Sequence, residues 1–406
     1  MSGRVVVGLV SVVFASCSVR NWVTGASMVA SEREVALALG EPDPGLDSFD
    51  MRSIPTIPAP QHVRPCCAFG ADLGVTVDGK VVPGYRVENI KAARELGRHE
   101  YDKGALSLSE DLSRFATSEN NGLVYTCRGG FIDTAHVRDY ADLTLFLTMK
   151  FILQLERGVT FELPGDGATR VVQLAPVPPE VIAQHGRWTV AITLAQWTAW
   201  RFSLWHEVVT WYGLESVRGF SEKASAFSPE DLYSNALGIR LAGGILSRGV
   251  VRSRADWDGQ MDAWLRQALV RLGDLPEKTG RAVMRQLDGR WWDSGRTLPD
   301  FRLVKRRNFE LSTPIRPWRL EDTGGPLDVA VANLCSAGPL PLPLPEQLGA
   351  QPLSSFLSLR FVVGPWAPPE FQLAADRTVP LDDLPRRIDE VRRAAQEALG
   401  EGFDAP

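Results

Sequence analysis

The sequence lacks an excess of positive charge, and it is poor in cysteine for its length. Its 406 residues include 44 Lys plus Arg against 49 Asp plus Glu, a net charge of −5. The whole molecule therefore offers no electrostatic attraction for nucleic acid. Five cysteines in a chain with 44% hydrophobic residues exclude both a small disulfide scaffold and general disorder. The composition is that of an ordinary globular protein of one or two domains.

Several motifs with known chemistry are also missing. We find no glycine loop of the phosphate-binding type, no Cys and His spacing of the zinc-finger type, and no HxxxH or HExxH pair. There is no internal repeat either. A metal or catalytic site in this chain must therefore be assembled by tertiary folding from distant residues.

The first residues predict a secreted, lipid-anchored protein. An apolar run from Val5 to Ala15 is about half the roughly 20 residues that a membrane-spanning helix needs. It ends in Phe14-Ala15-Ser16-Cys17, which is similar to the bacterial lipobox, so we expect a signal peptide over residues 1–17 and lipidation of Cys17. The expected location is the bacterial cell envelope, on the periplasmic side if the cell is Gram-negative, and the expected partners are the membrane and an unknown envelope component. The alternatives are a plain signal peptide and a buried N-terminal strand.

Four cysteines remain if Cys17 is lipidated. An oxidising compartment permits disulfides among Cys66, Cys67, Cys127 and Cys335. Because neighbouring cysteines rarely bridge each other, we expect Cys66 or Cys67 to pair with Cys127 or Cys335. Four free, buried thiols are the alternative.

The organisation of the rest indicates a helix-rich α+β fold built around a buried Trp-rich helix. We expect a tether over residues 18–61 with a short helix from Ser31 to Leu39, and a core domain over residues 62–317. Residues 318–406 form a Pro-rich connector and a small C-terminal strand-helix appendage, whose helix ends at Gly400.

Spacing of apolar residues places the main elements. The predicted core helices are Asp133 to about Glu156, Arg187 to Tyr212, Pro229 to about Leu246, Trp257 to Leu272 and Glu277 to Leu287. The predicted strands are Leu123 to Thr126, Thr160 to Leu163, Arg170 to Leu174 and a region from Phe301 to Leu311.

The Trp-rich helix raises the question of function. Between Val190 and Tyr212 its only charged residues are Arg201 and Glu207, with His206 beside them. A helix that is apolar on all sides is buried on all sides. A membrane span is disfavoured, because a central charge costs about 2.5–3.5 kcal/mol on insertion. In a soluble core these groups need partners.

The helix that begins near Asp133 offers partners. Asp133, His136 and Tyr140 are spaced i, i+3, i+7 and share one face, with Asp139 at its flank. We expect Asp133 to cap this helix and the His136 imidazole to face the core. Tyr233, on the first turns of a later helix, is a further candidate. Ser228 to Asp231 precede it and are typical of a helix N-terminus.

Two catalytic hypotheses follow from these residues. His99, His136 and His206 form a possible zinc set at about 2.0–2.1 Å, with Glu207 as the base that activates a bound water. The absence of a tight pair favours the alternative, core histidines bonded to carboxylates. Cys127 is a second candidate, as a nucleophile paired with a histidine and oriented by Asp133 or Asp139. It does not begin a helix, however, and an oxidising compartment favours a disulfide there.

Several long strings resemble an uncharacterised bacterial family, a domain of unknown function many of whose members look like envelope lipoproteins. They are RPCCAFG, LGRHEYD, ENNGLVYTCRGGFIDTAHVRDYAD, SLWHEVVTWYG, SAFSPEDLYSNALGIRLAGG and DGRWWD, within about residues 62–293. The resemblance implies an envelope setting and brings no reaction. The sequence thus leaves two hypotheses. One is a hydrolase, zinc-dependent in the metal interpretation, that acts on an envelope polymer, lipid or peptide. The other is a non-catalytic binding or scaffolding lipoprotein.

Overall fold

The computed structural model describes residues 30–40, 54–65, 67–77, 79–103, 119–214, 221–323, 334–371 and 373–406. Within these ranges the fold is helix-rich α+β, as predicted. The expected signal peptide, Cys17 and Cys66 lie outside the described residues.

The predicted core helices are all present. In chain order the helices are α1 Glu32–Leu39, α2 Thr134–Ile152, α3 Pro179–His185, α4 Arg187–Trp211, α5 Asp231–Ser247, α6 Arg254–Leu272, α7 Glu277–Gln286 and α8 Leu384–Leu399. The strands are β1 Gly74–Val77, β2 Lys80–Val81, β3 Leu123–Thr126, β4 Gly130–Asp133, β5 Val159–Gly165, β6 Ala168–Leu174, β7 Thr297–Leu298, β8 Gln347–Leu348, β9 Gln351–Pro352, β10 Leu357–Val363 and β11 Thr378–Pro380.

One strand prediction is wrong. Residues Phe301–Leu303 form a short 3₁₀ helix, and no strand follows before Leu311. The Asp300 carboxylate caps this turn by accepting from Arg302 N. Arg307 is fully buried and donates to the carbonyl oxygens of Ala224 and Phe301, so its side chain holds the segment in an irregular path.

The Trp-rich helix α4 lies at the centre of the core. It packs against α2 and α5 on one side, and Trp205 stacks on Phe361 of β10 with ring centroids 4.3 Å apart. Both rings are fully buried. A helix without a polar face is thus buried along most of its length, as the sequence pattern predicts, and only its first turns and Arg201 are partly exposed. In the described part of the chain, no helix combines the length and hydrophobicity that crossing a membrane requires.

The C-terminal segment completes the main sheet. The strand order is β11-β10-β6-β5, and all neighbours are antiparallel. The β10 strand pairs with β6 along its whole length, from Leu357 opposite Leu174 to Val363 opposite Ala168. The predicted strand and helix are therefore present, and α8 packs against α4 and ends at Gly400.

The predicted short helix near the N-terminus is also present, as α1. It packs on α5 and α6, with Val35 and Leu39 fully buried. The Arg240 Nε donates to the Ala38 carbonyl oxygen at 2.6 Å, and Arg248 pairs with Glu34 at 2.8 Å. This part of the expected tether is docked on the core.

The disulfide is Cys127–Cys335, so the expected pairing with Cys66 or Cys67 is wrong. Cys67 is a free, buried thiol whose backbone N–H donates to Asp133 at the start of α2. Cys127 instead directly follows β3 where the chain meets residues 334–340, and Leu340 N donates to the Arg128 carbonyl oxygen there. Cys67 and Cys127 thus lie beside different segments of the chain.

Candidate functional site

The β3-β4 hairpin delivers Asp133 to the start of α2. Its Oδ1 accepts from Ala135 N at 2.7 Å, and its Oδ2 accepts from Cys67 N at 2.8 Å, which confirms the predicted cap. His136 follows one turn later and is 3% exposed. The inward-facing imidazole predicted from the spacing is therefore present.

Helix α4 brings His206 and Glu207 to the same region, both almost completely buried. The His206 Nδ1 lies 3.2 Å from Asp166 Oδ1. Asp166 and Gly167 form the two-residue turn between β5 and β6, with φ of 48° and 66°. An Asp-Gly pair is the usual sequence of a type I′ turn, so the local sequence places this carboxylate beside the imidazole.

The first turns of α5 supply the third group of side chains in this region, after those of α2 and α4. The Oδ2 of Asp231 accepts from Ser228 N at 2.7 Å and from its Oγ at 3.1 Å. Asn235 connects the helices, because its Oδ1 lies 2.7 Å from His136 Nδ1 and its Nδ2 donates to Glu207 Oε1 at 3.4 Å. The second Glu207 oxygen accepts from Phe227 N at 2.8 Å.

We call these side chains the buried cluster: Asp133, His136, His206, Glu207, Glu230, Asp231 and Asn235. Two overlapping groups in it have ligand atoms within 4.8 Å of one another. The histidine set is His136, His206 and Glu207, and the acidic set is Asp133, His136 and Asp231. His136 belongs to both, and the His136 and His206 ring centroids are 5.8 Å apart. Histidine and carboxylate ligands suit a divalent metal ion.

The cluster is rich in carboxyl groups. Burial lowers the pKa of His136, but the carboxylates of Asp231, Asp133 and Glu207 outweigh it and raise the pKa to about 10. Burial likewise opposes the rise at His206, where Asp166 brings the pKa to about 9. Burial and the neighbouring acids raise the pKa values of Glu230 and Asp231 well above their ordinary range. Protons or a cation therefore have to balance the carboxylates.

His99 does not join the other two histidines, so the three-histidine zinc set is wrong. Its Nε2 lies 2.9 Å from Asp142 Oδ1 and its Nδ1 lies 3.3 Å from Glu119 Oε1. Among the described residues, no group of ligand atoms within 4.8 Å includes it. The interpretation as a core histidine bonded to carboxylates holds for this residue.

Asp139 lies between the buried cluster and the hydrogen-bond network of His99. Arg64 donates to Asp139 through its backbone N at 3.0 Å and through Nη1 at 2.7 Å. Burial raises the Asp139 pKa to about 7 in spite of Arg64, which lowers it. Its side chain is 15% exposed and lines a cleft of about 40 Å³ that Asp166 and Arg170 also line. The cleft thus reaches the residue that holds His206.

Three further candidates lie outside the buried cluster. Arg201 pairs with Glu346 at 2.5 Å and its guanidinium lies 4.1 Å from the Trp197 ring centroid, because its side of α4 faces the surface near residue 346. Tyr233 donates its hydroxyl to the Leu340 carbonyl oxygen at 2.7 Å. Cys127 has no thiolate to offer, since its sulfur is bonded to Cys335, so the nucleophile hypothesis is wrong.

The sequence reasoning missed four members of this region. Glu230 and Asp231 read as residues that favour a helix N-terminus, which is also true, since Ser228 bonds both carboxylates. For Asn235, nothing in the sequence indicated which way the side chain points. Asp166 had one, because an Asp-Gly pair between two β-like runs predicts a tight hairpin, but nothing local reveals that this hairpin meets α4.

These observations define an α+β protein with a histidine and carboxylate cluster enclosed by three helices. The chain belongs to the family described as "Protein of unknown function (DUF4056)", which it matches over residues 54–321. The resemblance to an uncharacterised family is thereby confirmed. No curated protein and no solved structure matches the chain. All members of the buried cluster lie within the matched range, whereas β10, β11 and α8 lie beyond it.

Proposed function

We propose that the protein is a metal-dependent hydrolase of the bacterial envelope whose reacting centre is the buried cluster. One observation carries the proposal: histidine and carboxylate ligand atoms from α2, α4 and α5 lie within 4.8 Å of one another in the interior. Buried ionisable groups are frequent at functional sites and also in structural networks. The convergence of imidazole and carboxylate ligand atoms from three helices favours the first, because these groups are usual ligands of divalent metal ions.

His136 is the central metal ligand in this proposal, because it is the member common to both ligand sets. Zinc is the first candidate, since imidazole and carboxylate oxygen are among its usual ligands. When bound, such an ion lowers the pKa of a coordinated water toward neutrality.

Glu207 is the candidate base. Its two oxygens each accept one hydrogen bond, from Phe227 N and from Asn235 Nδ2, which orient the carboxylate beside His136. In the proposed reaction Glu207 takes a proton from the attacking water and returns it to the leaving group. One water is consumed and one ester, amide or phosphodiester bond of the substrate is broken, so atoms and charge balance.

The proposed approach to the centre is the cleft beside Asp139. It is lined by Asp139, Tyr140, Asp166 and Arg170, and Asp166 is bonded to His206. Both acidic and basic side chains lie at its wall. Its volume of about 40 Å³ admits water, the second reactant of a hydrolase.

The envelope setting rests on the N-terminal sequence and on the disulfide. Disulfides such as Cys127–Cys335 are typical of proteins outside the cytosol. We propose that lipidation of Cys17 anchors the protein to the membrane. Incorporation of labelled palmitate into the wild type and its absence from Cys17→Ser tests this part; equal labelling of both would refute it.

Activity measurements with matched variants test the hydrolase. Purified protein is assayed with zinc on chromogenic carboxylic ester, phosphodiester and peptide substrates. Glu207→Gln is expected to lower kcat by about 10²–10⁴-fold, the usual contribution of a general base. Arg201→Gln is the control on the same helix and should keep wild-type activity. Full activity of Glu207→Gln, or no hydrolysis of any substrate by the wild type, contradicts the proposal.

A non-catalytic binding protein is the second candidate, and a cavity favours it. A cavity of about 860 Å³ lies away from the buried cluster and is lined by Trp211, Lys223 and Phe301 among others. If binding occurs there, the cluster only stabilises the core. His206→Gln then lowers the melting temperature and leaves metal content and activity unchanged.

A further inference from the structure

A separate cavity lies toward the other ends of α4 and α5, away from the buried cluster. It is lined by residues of α1, α4 and α5, with Trp264 of α6, and has a volume of about 160 Å³. None of the described residues that line it belongs to the buried cluster. Sites for drug-sized ligands have volumes of roughly 300–1,000 Å³, so this cavity suits a smaller molecule.

Two consecutive glycines of α5 allow the neighbouring helices to come close at this cavity. Glycine within a helix is destabilising relative to alanine, so a pair of them needs a reason. A Cβ at Gly243 would overlap with the side-chain amide of Gln196, and one at Gly244 would lie 2.5 Å from the Ala38 Cβ. The glycine pair therefore lets α4 and α1 pack closely on α5, and all three helices line the cavity.

Arg240 places a buried positive charge at the cavity. The residue is 8% exposed and lines the cavity. Among the described residues it forms no salt bridge, and its one hydrogen bond runs from Nε to the Ala38 carbonyl oxygen at 2.6 Å. Burial lowers the pKa of Arg240 to about 10. A buried cation without a counter-ion is costly, and an anion bound in the cavity would compensate it.

The other two charged side chains at the cavity neutralise each other. Arg248 Nε pairs with Glu34 at 2.8 Å, and Glu34 also accepts from the backbone N and hydroxyl of Ser31. Arg248 Nη1 is buried and, within the described part of the chain, has no hydrogen-bond partner. The described side chains that line the cavity thus carry one net positive charge, from two arginines and one glutamate.

We infer that this cavity binds a small organic carboxylate, with Arg240 as its counter-ion. A planar guanidinium matches a carboxylate, which can accept two of its N–H groups at once. One carboxylate also supplies the single negative charge that the lining lacks. Leu37, Ile192 and Trp264 line the same cavity and suit a short apolar chain on the ligand. The inference goes beyond the proposed function, because it does not depend on the buried cluster.

Calorimetric titrations of the full-length protein with sodium butyrate test the inference. Butyramide has the same size without the charge, and it should bind at least about tenfold more weakly. Arg240→Gln is expected to weaken butyrate binding by about 10–100-fold, through the loss of hydrogen bonds between charged groups. Arg252→Gln is the control and should bind butyrate like the wild type, because Arg252 is 56% exposed and does not line the cavity.

A second variant changes the cavity and keeps the charge. Thr193 lies on α4, lines the cavity and is partly exposed. Thr193→Phe places a larger side chain in the cavity while Arg240 remains, and it is expected to abolish butyrate binding. Circular dichroism and urea unfolding verify that each variant is folded.

The outcomes decide both the site and the class of ligand. Butyrate binding at one site that is weakened in Arg240→Gln and Thr193→Phe, and unchanged in Arg252→Gln, supports the inference. Absence of butyrate binding to the folded wild type overturns it, as does equal affinity of the wild type and Arg240→Gln. Tighter binding of inorganic phosphate than of butyrate overturns the assignment to a carboxylate.

Discussion

At the residue scale, the three-residue spacing of polar side chains on α2 decides which network each one joins. Three residues advance about 300° along a helix, so each successive member is turned by about 60°. His136 consequently faces α4 and α5, whereas Asp142 has turned toward His99 and Trp257. The helix α2 therefore contributes side chains to two buried groups, the buried cluster and the His99 network.

The His99 network gives a pH-dependent prediction. Burial alone lowers the His99 pKa, but Asp142 outweighs it, so the folded pKa is above the unfolded value of about 6.5. The ion pair therefore stabilises the fold fully below pH 6.5 and is lost as pH rises through the folded pKa. We expect His99→Gln to lower the free energy of unfolding by about 3 kcal/mol at pH 6 and by less at alkaline pH.

Urea denaturation of wild type and variant across this pH range measures the difference. His62→Gln serves as the control, because His62 pairs with Asp102 while its side chain is 57% exposed. Its effect should stay below about 1 kcal/mol. A penalty for His99→Gln that does not change with pH contradicts the charged interaction.

The same scale shows what the sequence reveals of the site. The spacing of Asp133, His136 and Tyr140 is sufficient to predict a cap and an inward imidazole, because both depend on helix geometry alone. The choice between His99 and His206 as a neighbour of His136 depends on which segments fold against α2, and no local pattern encodes that. Similar residue types in the sequence therefore lead to one correct and one wrong partner.

At the element scale, periodicity predicts the core helices because burial of an apolar face determines where a helix can form. It fails for residues 301–311, where a buried Arg307 binds carbonyl oxygens instead of lying on a strand's solvent face. The β5-β6 hairpin combines both situations. Its turn is encoded by Asp166-Gly167, but its contact with His206 is tertiary.

This hairpin gives a second prediction. Gly167 has φ of 66°, and a Cβ there would lie 2.5 Å from the Trp366 ring. We expect Gly167→Ala to lower the free energy of unfolding by about 2–4 kcal/mol, from backbone strain plus overpacking. Thermal and urea unfolding measure this loss.

Gly79→Ala is the matched control. Gly79 has a similar φ of 76° in the β1-β2 turn, and a Cβ added there would meet no atom of the described residues within 4 Å. Only the strain of about 1–2 kcal/mol should appear there. Equal losses at the two positions would mean that Trp366 moves aside, and that the turn does not hold Asp166 rigidly.

At the scale of the whole molecule, distant segments close the core around the buried cluster. The pairing of β10 with β6 joins the C-terminal segment to the sheet that carries Asp166, and the disulfide links residues 208 positions apart. A local sequence pattern records only residues close together in the chain, so it does not reveal contacts between segments this far apart. The C-terminal strand is thus predictable from the sequence, while its place between β11 and β6 is not.

The central claim is that side chains of three helices form one metal centre inside this core. Anomalous X-ray scattering from crystals of the full chain grown with Mn²⁺ or Zn²⁺ tests it most directly. The account predicts one strong peak about 2.0–2.2 Å from a ring nitrogen of His136, inside the buried cluster. Peaks confined to surface side chains, with none beside His136, would contradict it.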